Sequence, residues 1–379
     1  MRILIYRSRL LERSETFIAD HYESLVASGV DCIFACEELI ANSAEPYEII
    51  ANRTATGGKF TRMLAKAAFN VAPNSSQLAR RISEFSPDII HAHFAPDAAE
   101  ILPIAKNQGI PLIVTLHGFD VTANPSYYVR KIHLKWPYLL RKSALQRYSS
   151  AFLPVSDYLR GVSISRGYPE KSTMTHYLGT HIPETNTQAT GTRSGILFVG
   201  RLVEKKGCHH LINAFRLLAE AGSNAKLTII GDGPQREMLH NLAKTLGDRV
   251  SFLGAQPRAE VLRHMRAASV FSMPSMPASS GDNEGFGMVY IEAQLSGAKI
   301  VAFDQGPVRE ALSPDNRAYL AEPGDVASLA VRLQDALARD SHNPLEAINY
   351  VSKHFNSKER AIALKAHYRS ILSRPEPGQ

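Results

Sequence analysis

Short apolar runs alternate with longer helical patterns along most of the chain. Before residue 183, runs rich in Ile, Val, Leu and Phe occupy residues 2–6, 30–36, 87–93, 111–117 and 150–156. After residue 194 they recur at residues 195–200, 225–231, 249–254, 269–274, 298–304 and 317–322. Strands buried on both faces of a parallel sheet have this composition, and the helices between them supply the crossovers. The pattern predicts an α/β protein with two Rossmann-like, doubly wound domains.

The polar sequence PETNTQATGTRSG interrupts this alternation after residue 182 and is typical of an interdomain linker. We therefore predict an N-terminal domain over residues 1–183, a linker over 184–194 and a C-terminal domain over 195–356. The helical pattern SKERAIALKAHYRSIL, within residues 357–379, predicts a last helix and tail that pack back on the N-terminal domain. Doubly wound sheets bind ligands beyond the carboxyl ends of their strands, so we expect functional residues in the loops that follow strands, in a cleft between the domains.

Cysteine usage and the N-terminus bear on the compartment. The three cysteines, Cys32, Cys36 and Cys208, have the spacing of neither a disulfide framework nor a zinc site. The N-terminal sequence MRILIYRSRL has only four apolar residues in a row before arginines return. Such a run is too short for a signal peptide or a membrane anchor, so we expect a cytoplasmic protein.

The net charge of +7 is concentrated in two stretches that contain no acidic residue, 49–83 and 121–150. The second stretch also contains Tyr127, Tyr128 and Trp136, and cations mixed with aromatic side chains suit an anionic lipid surface. A solvated basic face would have the same composition. The charge therefore leaves open a peripheral position on the inner membrane. Nucleic acid is not expected as a partner, because no recognised binding motif accompanies the charge.

The segment GRLVEKKG, residues 200–207, lies between an apolar strand pattern and a helical pattern. Arg201 and Lys206 leave the same loop, and Gly200 and Gly207 permit tight backbone at its two ends. Both cations can therefore converge on one anion, for which a diphosphate fits. The spacing differs from that of a P-loop, and two solvated loop cations are the alternative.

The segment GDGPQREML begins at Gly231 and Asp232, directly after another strand pattern. A glycine at this position lets a planar or phosphorylated ligand approach the backbone closely. The third glycine of a dinucleotide fingerprint is missing, which speaks against a nicotinamide dehydrogenase.

The segment GDNEGFGMVYIEAQLSG, residues 281–297, predicts a helix that begins near Gly287 and ends before Gly297. The free amides and positive dipole end of such a helix suit a phosphate. Glu284 precedes the helix and can accept sugar hydroxyls, and Glu292 within it can accept a ribose diol. A helix acid paired with a structural cation is the alternative for Glu292. Asp282 either shapes the loop or assists sugar recognition.

The segment TLHGFD ends a strand pattern in the first half and directs His117 and Asp120 toward the expected cleft. A satisfied core histidine is the alternative for His117. His91 and His93 are expected to alternate across a strand end, so that only one of them faces the cleft, and a structural role is favoured for both. SETFI, residues 14–18, has the signature of a helix start.

Together, GRLVEKKG, GDGP and EGFGMVYIEA with its E-x7-E spacing, preceded by TLHGFD, resemble the GT-B retaining glycosyltransferases of family 4. SETFI and HAHF resemble the branch that builds bacterial surface polysaccharides, including colanic-acid-type enzymes. The resemblance covers the whole chain. It implies an N-terminal acceptor-binding domain and a C-terminal donor-binding domain.

The resemblance also implies an activity and a set of site residues. The activity is transfer of a hexose from a nucleotide sugar, UDP-hexose in preference to GDP-mannose, to a glycan acceptor that is lipid-linked, without a metal or other cofactor. The implied catalytic residues are His117, Glu284, Arg201 and Lys206. The implied donor-binding residues are Gly200, Arg201, Lys206, Gly231, Asp232, Glu284, Gly285, Phe286, Gly287, Met288, Val289 and Glu292. The acceptor side is implied to include Asp120, Ser14, Glu15 and Thr16.

One departure from the family pattern concerns the loop after the first strand. It reads YRSRLLERSETF, without the Gly-Gly pair that many members carry, so Arg7, Arg9 or Ser14 are expected to substitute. Two rival functions remain at this point: a nucleotide-sugar epimerase of similar architecture, and a non-catalytic nucleotide-sugar-binding partner in an assembly complex.

Overall fold

The structure is a computed structural model that describes residues 1–10, 16–39, 47–54, 58–130, 132–182, 193–338 and 344–373. The side chains of residues 16, 54, 59, 130 and 132–135 are not described. The chain divides into two compact units. The first unit comprises residues 1–181 and 357–379, and the second comprises residues 182–356. Most of the predicted linker, residues 184–192, lies outside the described residues.

The first unit is built on one parallel sheet. Its strands among the described residues are β1 (Arg2–Tyr6), β2 (Arg9–Leu10), β3 (Asp31–Leu39), β4 (Ile49–Thr54), β5 (Ile89–His93), β6 (Leu112–Leu116) and β7 (Ala151–Pro154). The strands lie in the order β4, β3, β1, β5, β6, β7, and the short β2 pairs with the end of β3. The order reverses at β1, which has β3 on one side and β5 on the other.

Helices connect these strands and cover the sheet. They are α1 (Thr16–Ala27), α2 (Lys59–Val71), α3 (Gln77–Phe85), α4 (Ala95–Asn107), α5 (Phe119–Thr122), α6 (Pro125–Arg130), α7 (Ile132–Tyr148) and α8 (Asp157–Ser165). Strands β5 and β6 are buried along their whole length, as expected for central strands of a sheet covered on both faces.

The second unit is a parallel sheet with the strand order of dinucleotide-binding folds. Its described strands are β8 (Ile196–Val199), β9 (Leu227–Ile230), β10 (Val250–Phe252), β11 (Val270–Ser272), β12 (Lys299–Phe303) and β13 (Leu320–Ala321). They lie in the order β10, β9, β8, β11, β12, β13, which reverses at β8. The helices are α9 (Cys208–Glu220), α10 (Arg236–Ala243), α11 (Arg258–Ala267), α12 (Met288–Leu295), α13 (Val308–Ala311), α14 (Val326–Ala338) and α15 (Pro344–Phe355).

The last helix, α16 (Ser357–Leu372), spans the predicted residues and belongs to the first unit. Leu364 and Tyr368 are buried in the core of that unit. The Lys365 ammonium donates to the backbone oxygen of Ser28, which follows α1, at 2.5 Å. Segments from the two ends of the chain therefore share one core.

Each of the eleven apolar runs forms a strand, so the predicted α/β class with two parallel sheets is confirmed. Strands β2 and β4 were not predicted. No described helix has both the length and the apolar composition that a bilayer-spanning segment needs.

Two aromatic residues of the stretch 121–150 are not available to an outer surface, whereas Tyr127 and Trp136 are partly exposed. Tyr128 and Tyr138 are buried, and their hydroxyls donate to the backbone oxygen of Asp120 at 3.1 and 3.3 Å. The Arg141 guanidinium donates to the backbone oxygen of Asn70 at 2.7 Å. These tyrosines pack inward because a buried hydroxyl that reaches a carbonyl keeps its hydrogen bond.

Three cations of the other acid-free stretch, Arg53, Arg62 and Lys66, are paired with acids from elsewhere in the first unit. Arg53 on β4 and Arg62 on α2 both bind the carboxylate of Glu38, and the Lys66 ammonium lies 2.6 Å from a carboxylate oxygen of Glu100. Absence of acids along a stretch of sequence therefore does not make its cations free to bind an anionic partner.

Candidate active site

Three loops of the second unit meet at the carboxyl edge of its sheet. They follow the neighbouring strands β8, β9 and β11 and contain residues 200–207, 231–235 and 273–287. The strand order reverses at β8, where open α/β sheets bind their ligands. The three motifs read from the sequence, GRLVEKKG, GDGP and EGFG, thus lie side by side.

The loop after β8 ends in a 3₁₀ turn over Glu204–Lys206, followed by Gly207 and α9. Gly207 has a φ of 67°. A β-carbon at this position would lie 1.8 Å from the backbone oxygen of Pro274, in the loop after β11. Only glycine permits this approach, which brings Lys205 and Lys206 to the loop that contains Glu284.

Lys206 and Glu284 form an ion pair between these two loops. Their side chains are 17% and 11% exposed, so solvent screens the pair weakly. Burial alone would raise the pKa of Glu284, but the charges of Lys206 and Lys205 outweigh it and hold that pKa below its ordinary value. The neighbouring Lys205 ammonium lies 2.9 Å from the Asp282 carboxylate. Two adjacent lysines therefore bind two acids of the same loop.

Arg201 differs from Lys206. Its side chain is exposed and has no hydrogen bond or ion pair with any residue that the structure describes. The predicted convergence of Arg201 and Lys206 on one anion stays a prediction, with Lys206 held in place by Glu284 and Arg201 available to solvent.

Helix α12 begins directly after Gly287 and is followed by Ser296 and Gly297, so the predicted bounds are confirmed. The backbone N–H groups of Met288 and Val289, the first two of the helix, have no hydrogen-bond partner in the described part of the chain. The Phe286 ring is buried and packs on Phe355 at 5.1 Å between centroids. Phe286 anchors the loop, and the amides that follow it remain able to donate.

Glu292 in α12 is paired with Arg258 of α11, with 3.3 Å between carboxylate oxygen and guanidinium nitrogen. The side chains of Glu292 and Arg258 are 22% and 43% exposed, and such pairs contribute about 1 kcal/mol or less to stability. This pair matches the alternative interpretation of Glu292 from the sequence, a helix acid paired with a structural cation. A ribose-binding role for Glu292 stays a prediction and requires the pair with Arg258 to open.

The loop after β9 packs on the loop after β8. A β-carbon on Gly231, whose φ is 145°, would lie 1.9 Å from the backbone oxygen of Gly200, and the Leu202 amide donates to the backbone oxygen of Asp232 at 2.9 Å. The neighbouring loop is therefore sufficient to require glycine at position 231, and donor binding by Gly231 stays a prediction. Asp232 is exposed, and its carboxylate accepts from Gly233 N–H at 2.7 Å.

In the first unit, Asp120 lies in the loop and short helix after β6 and is 1% exposed. Its carboxylate accepts backbone N–H groups of Gly118, His117 and Ala95 at 2.9, 3.1 and 3.2 Å. Burial raises the pKa of Asp120 to about 6, against these three donors, which lower it. Asp120 thus fixes the loop that presents His117. Ser14 and Glu15 lie outside the described residues, and Thr16 begins α1 without a described side chain.

His91 and His93 of β5 do not alternate across the strand, and the expectation that only one could face a given side is wrong. Their rings are stacked, with centroids 5.2 Å apart and an interplanar angle of 5°. Residues two apart in a strand share a face, so both imidazoles lie on the same side of the sheet. Both are fully buried.

His93 contacts two further histidines. Its Nδ1 lies 2.9 Å from Nε2 of His117, and its Nε2 lies 3.0 Å from Nδ1 of His21 on α1. The His117 ring, which is partly buried, packs against Phe17 and Phe94 at 4.8 and 4.4 Å between centroids. His117 is therefore held by aromatic neighbours and by a buried histidine.

Comparisons with known proteins match both units. The family "Glycosyl transferases group 1" matches residues 185–354, and "Glycosyltransferase Family 4" matches residues 14–179. The GDP-mannose-dependent monoacylated alpha-(1-6)-phosphatidylinositol monomannoside mannosyltransferase of Corynebacterium glutamicum is 30% identical over 69% of this chain and 70% of its own length. The chain belongs to glycosyltransferase family 4.

Two further relatives support this assignment. WcaL of Salmonella typhimurium, named for colanic acid biosynthesis, is 28% identical over 72% of this chain and 67% of its own length. The structure of Anabaena HepE, in complex with UDP and glucose, superposes with a TM-score of 0.74 at 18% identity and covers 98% of this chain and 100% of HepE. At that identity the likeness shows the fold alone. The predicted GT-B class, with two parallel-sheet α/β domains, is confirmed.

In this family 4 glycosyltransferase, the residues that follow β1 lack the Gly-Gly pair of many family members. They include a short strand, β2. The residues expected to substitute there are engaged elsewhere. Arg7 is paired with Asp97, and Arg9 lies 3.2 Å from the carboxylate of Glu38. Neither arginine is presented without a partner.

The sequence did not reveal several residues that shape the site. Lys205 and Arg258 hold Asp282 and Glu292, and His21 contacts His93. Lys205 could have been suspected because it is adjacent to Lys206 in the sequence. His21 and Arg258 lie within helices, and nothing in the neighbouring sequence indicates their contacts.

Proposed function

We propose that this glycosyltransferase moves a hexosyl group from a nucleotide sugar to a glycan acceptor, with retention of anomeric configuration and without a metal ion. The observation that carries the proposal is the arrangement at the start of α12. A weakly screened Lys206–Glu284 pair and the unpartnered amides of Met288 and Val289 belong to one loop cluster at the carboxyl edge of the second sheet. A cation, a carboxylate and free amides suit a molecule that combines phosphate with hydroxyl groups.

Each group of the donor has a proposed partner. The diphosphate receives hydrogen bonds from Lys206, Arg201 and the first amides of α12, which offset its developing charge in the transition state. Glu284 accepts hydroxyls of the transferred hexose. Glu292 accepts the ribose hydroxyls after its pair with Arg258 opens.

Retention without a protein nucleophile is proposed to follow a front-face displacement. The bond between the anomeric carbon and the phosphate oxygen breaks, and a bond from that carbon to the acceptor oxygen forms on the same face. The acceptor hydroxyl proton passes to the departing phosphate oxygen. The cations at the diphosphate stabilise the leaving group, and His117 contacts the donor sugar.

The relatives guide the choice of donor and acceptor. HepE is described in complex with UDP and glucose, which favours a UDP-hexose, and the C. glutamicum relative is named as GDP-mannose-dependent, which makes GDP-mannose the second candidate. The name of WcaL refers to colanic acid, so we propose a role in bacterial exopolysaccharide, capsule or lipopolysaccharide synthesis with a lipid-linked acceptor.

The proposal is tested by thermal shift with UDP, GDP, ADP and their sugars, followed by NMR of the product. We expect UDP and a UDP-hexose to raise the midpoint of thermal unfolding, an α-linked product from an α-linked donor, and unchanged turnover in EDTA. If none of the nucleotides shifts the midpoint, the proposed donor site is wrong. An epimer formed from the donor without acceptor would identify an epimerase instead.

We also propose that the first unit rests on an anionic membrane surface through α2. Arg62 and Lys66 of this helix are paired with Glu38 and Glu100 of the same unit. The outer face of the helix is apolar, and the side chains of Phe60, Leu64 and Val71 are 68%, 54% and 75% exposed. Positions spaced by three or four residues form one stripe along a helix. The helix contains no acidic residue that would repel an anionic surface.

Replacing Leu64 with aspartate is expected to lower binding to liposomes of mixed neutral and anionic lipid at least fivefold, because a charge enters the apolar stripe. Flotation at low salt measures the bound fraction. Val331→Asp is the matched control, since Val331 is also 54% exposed but lies on α14 of the second unit. Equal loss in both variants, or no binding by the unmodified protein, would rule out this contact.

A further inference from the structure

Glu204 binds the loop after β11 through both oxygens of its carboxylate. One oxygen accepts the backbone N–H of Ser279 at 2.9 Å, and the other accepts the Ser279 hydroxyl, also at 2.9 Å. Hydrogen bonds to a charged acceptor are stronger than neutral ones, and two of them to one residue fix its orientation as well as its position. Neither the sequence motifs nor the family resemblance gave Glu204 a role.

Ser279 lies in a closed turn of that loop. The Gly281 N–H donates to the backbone oxygen of Ala278 at 2.8 Å, and the Ala278 N–H donates to the backbone oxygen of Asp282 at 2.9 Å. These two hydrogen bonds tie residues 278–282 together. A group that holds Ser279 therefore holds the whole turn.

The closed turn continues directly into Glu284. Only Asn283 separates the two, and its side-chain oxygen accepts the Glu284 N–H at 2.8 Å. Asn283 and Glu284 are both buried. Beyond Glu284, the ring of Phe286 is packed on Phe355. The backbone is thus held on both sides of Glu284, and the placement of the closed turn bears directly on where the Glu284 carboxylate lies.

The three residues of the 3₁₀ turn bind this loop in order. The side-chain partners of residues 204, 205 and 206 are Ser279, Asp282 and Glu284, respectively. The contact that Glu204 makes is exposed, whereas the contact of Lys206 is mostly buried. The contact of Glu204 can therefore be removed without breaking the buried ion pair.

We propose that Glu204 is a positioning residue, which holds the loop after β11 in the shape that presents Glu284 to the hexose of the donor. Glu204 acts through Ser279 and the closed turn. A loop that is ordered before the ligand arrives does not have to be ordered at the expense of binding. The contact of Glu284 with the hexose rests on the proposed function, whereas the hold of Glu204 on the loop does not.

Two variants of the full chain separate the hydrogen bonds of Glu204 from its charge. Glu204→Met removes both hydrogen bonds. Glu204→Gln removes the charge but can keep both, because its amide oxygen accepts the Ser279 N–H and its amide NH₂ donates to the hydroxyl oxygen. Glu260→Met is the matched control, since Glu260 accepts a hydrogen bond from Arg263 at 2.8 Å on the surface of the same unit.

Hydrogen–deuterium exchange tests the hold itself. We expect the amides of residues 278–284 to exchange about fivefold faster in Glu204→Met, because the closed turn loses its external partner and opens locally more often. Glu204→Gln and Glu260→Met should keep the exchange rates of the unmodified protein. Unchanged exchange in Glu204→Met would overturn the proposal.

Equilibrium binding of UDP and UDP-glucose tests what the hold is used for. UDP lacks the hexose, so the Kd of UDP divided by the Kd of UDP-glucose reports the contacts that the sugar makes. We expect Glu204→Met to lower this ratio about fivefold, in the same direction as Glu284→Gln, and Glu204→Gln to leave it unchanged. GDP and GDP-mannose replace these probes if the nucleotide panel selects GDP.

The outcomes distinguish this proposal from the proposed function. An unchanged ratio in Glu284→Gln would overturn the hexose contact, and with it this use of Glu204, whatever the exchange rates are. A lowered ratio in Glu284→Gln together with an unchanged ratio in Glu204→Met would overturn only the positioning role. An equal change of UDP affinity in Glu204→Met and Glu204→Gln, with no change in the ratio, would show that Glu204 acts through its charge on the neighbouring lysines, which also contradicts the proposal.

Discussion

Glu284→Gln is expected to lower kcat/KM for the nucleotide-sugar donor at least 100-fold. The substitution keeps the size of the side chain and removes its charge. Glu284 is proposed to accept hexose hydroxyls, and hydrogen bonds to a charged acceptor contribute about 1.5–3 kcal/mol each. Loss of one or two of them corresponds to the expected factor, since 1.4 kcal/mol changes a rate tenfold. Steady-state kinetics with the donor selected by the nucleotide panel measure the loss.

Asp282→Asn is the matched control for Glu284→Gln. Asp282 lies in the same loop and binds the neighbouring Lys205, but its side chain is 28% exposed, compared with 11% for Glu284. We expect a less than tenfold change in kcat/KM for Asp282→Asn. If Glu284→Gln folds normally and retains at least half of the activity, Glu284 does not bind the transferred sugar.

The strands could be predicted because their burial is encoded locally. Runs such as RILIY and PLIVTLH are apolar on both faces, which only the centre of a covered parallel sheet satisfies. Strand β4 was missed for the complementary reason. Among the described strands it pairs only with β3, at the edge of the sheet, and its sequence IIANRT turns polar after Ala51, with Arg53 used in ion pairs to Glu37 and Glu38.

The site could be predicted only as separate pieces. The glycines marked positions of unusual backbone, but what each approaches depends on the neighbouring strand. Gly231 meets Gly200, and Gly207 meets Pro274. Likewise the sequence indicated Lys206 and Glu284 as donor-binding residues without revealing that they bind each other across 78 positions. Pairings of this kind follow from sheet order, which composition and periodicity do not encode.

The histidines show the limit of local patterns in another way. His91 and His93 were visible as a pair, and the period of a strand places them on one face. His21 lies on an amphipathic helix whose sequence gives no sign that an imidazole partner lies opposite. Its position follows only from the packing of α1 on the sheet.

Replacing Lys206 with methionine is expected to affect both stability and activity. Methionine keeps most of the length of the side chain without its charge, and Glu284 would then be a buried carboxylate with a weakened set of cations. Breaking a buried pair by removing one partner costs about 3–5 kcal/mol, whereas replacing both partners can be nearly neutral. The double variant Lys206→Met with Glu284→Gln should therefore regain most of the lost stability while remaining at least 100-fold less active than the unmodified protein. Thermal unfolding and kinetics of the two single variants and the double variant measure this difference.

Acid should reduce the stability difference between the unmodified protein and Lys206→Met. The pKa of Glu284 is held below its ordinary value of 4.5 in the folded protein, so its pair adds stability above pH 4.5 and loses it as pH falls through the lowered pKa. Lys205→Met is the matched control, because the Lys205 pair with Asp282 is more exposed, and its stability change should be about 1 kcal/mol or less. If Lys206→Met and Lys205→Met lower activity equally, the loop contributes only general positive charge. A loss of activity in Lys206→Met alone, which the double variant does not restore, would have another meaning. It would show that Lys206 acts at the leaving diphosphate and does more than hold Glu284 in place.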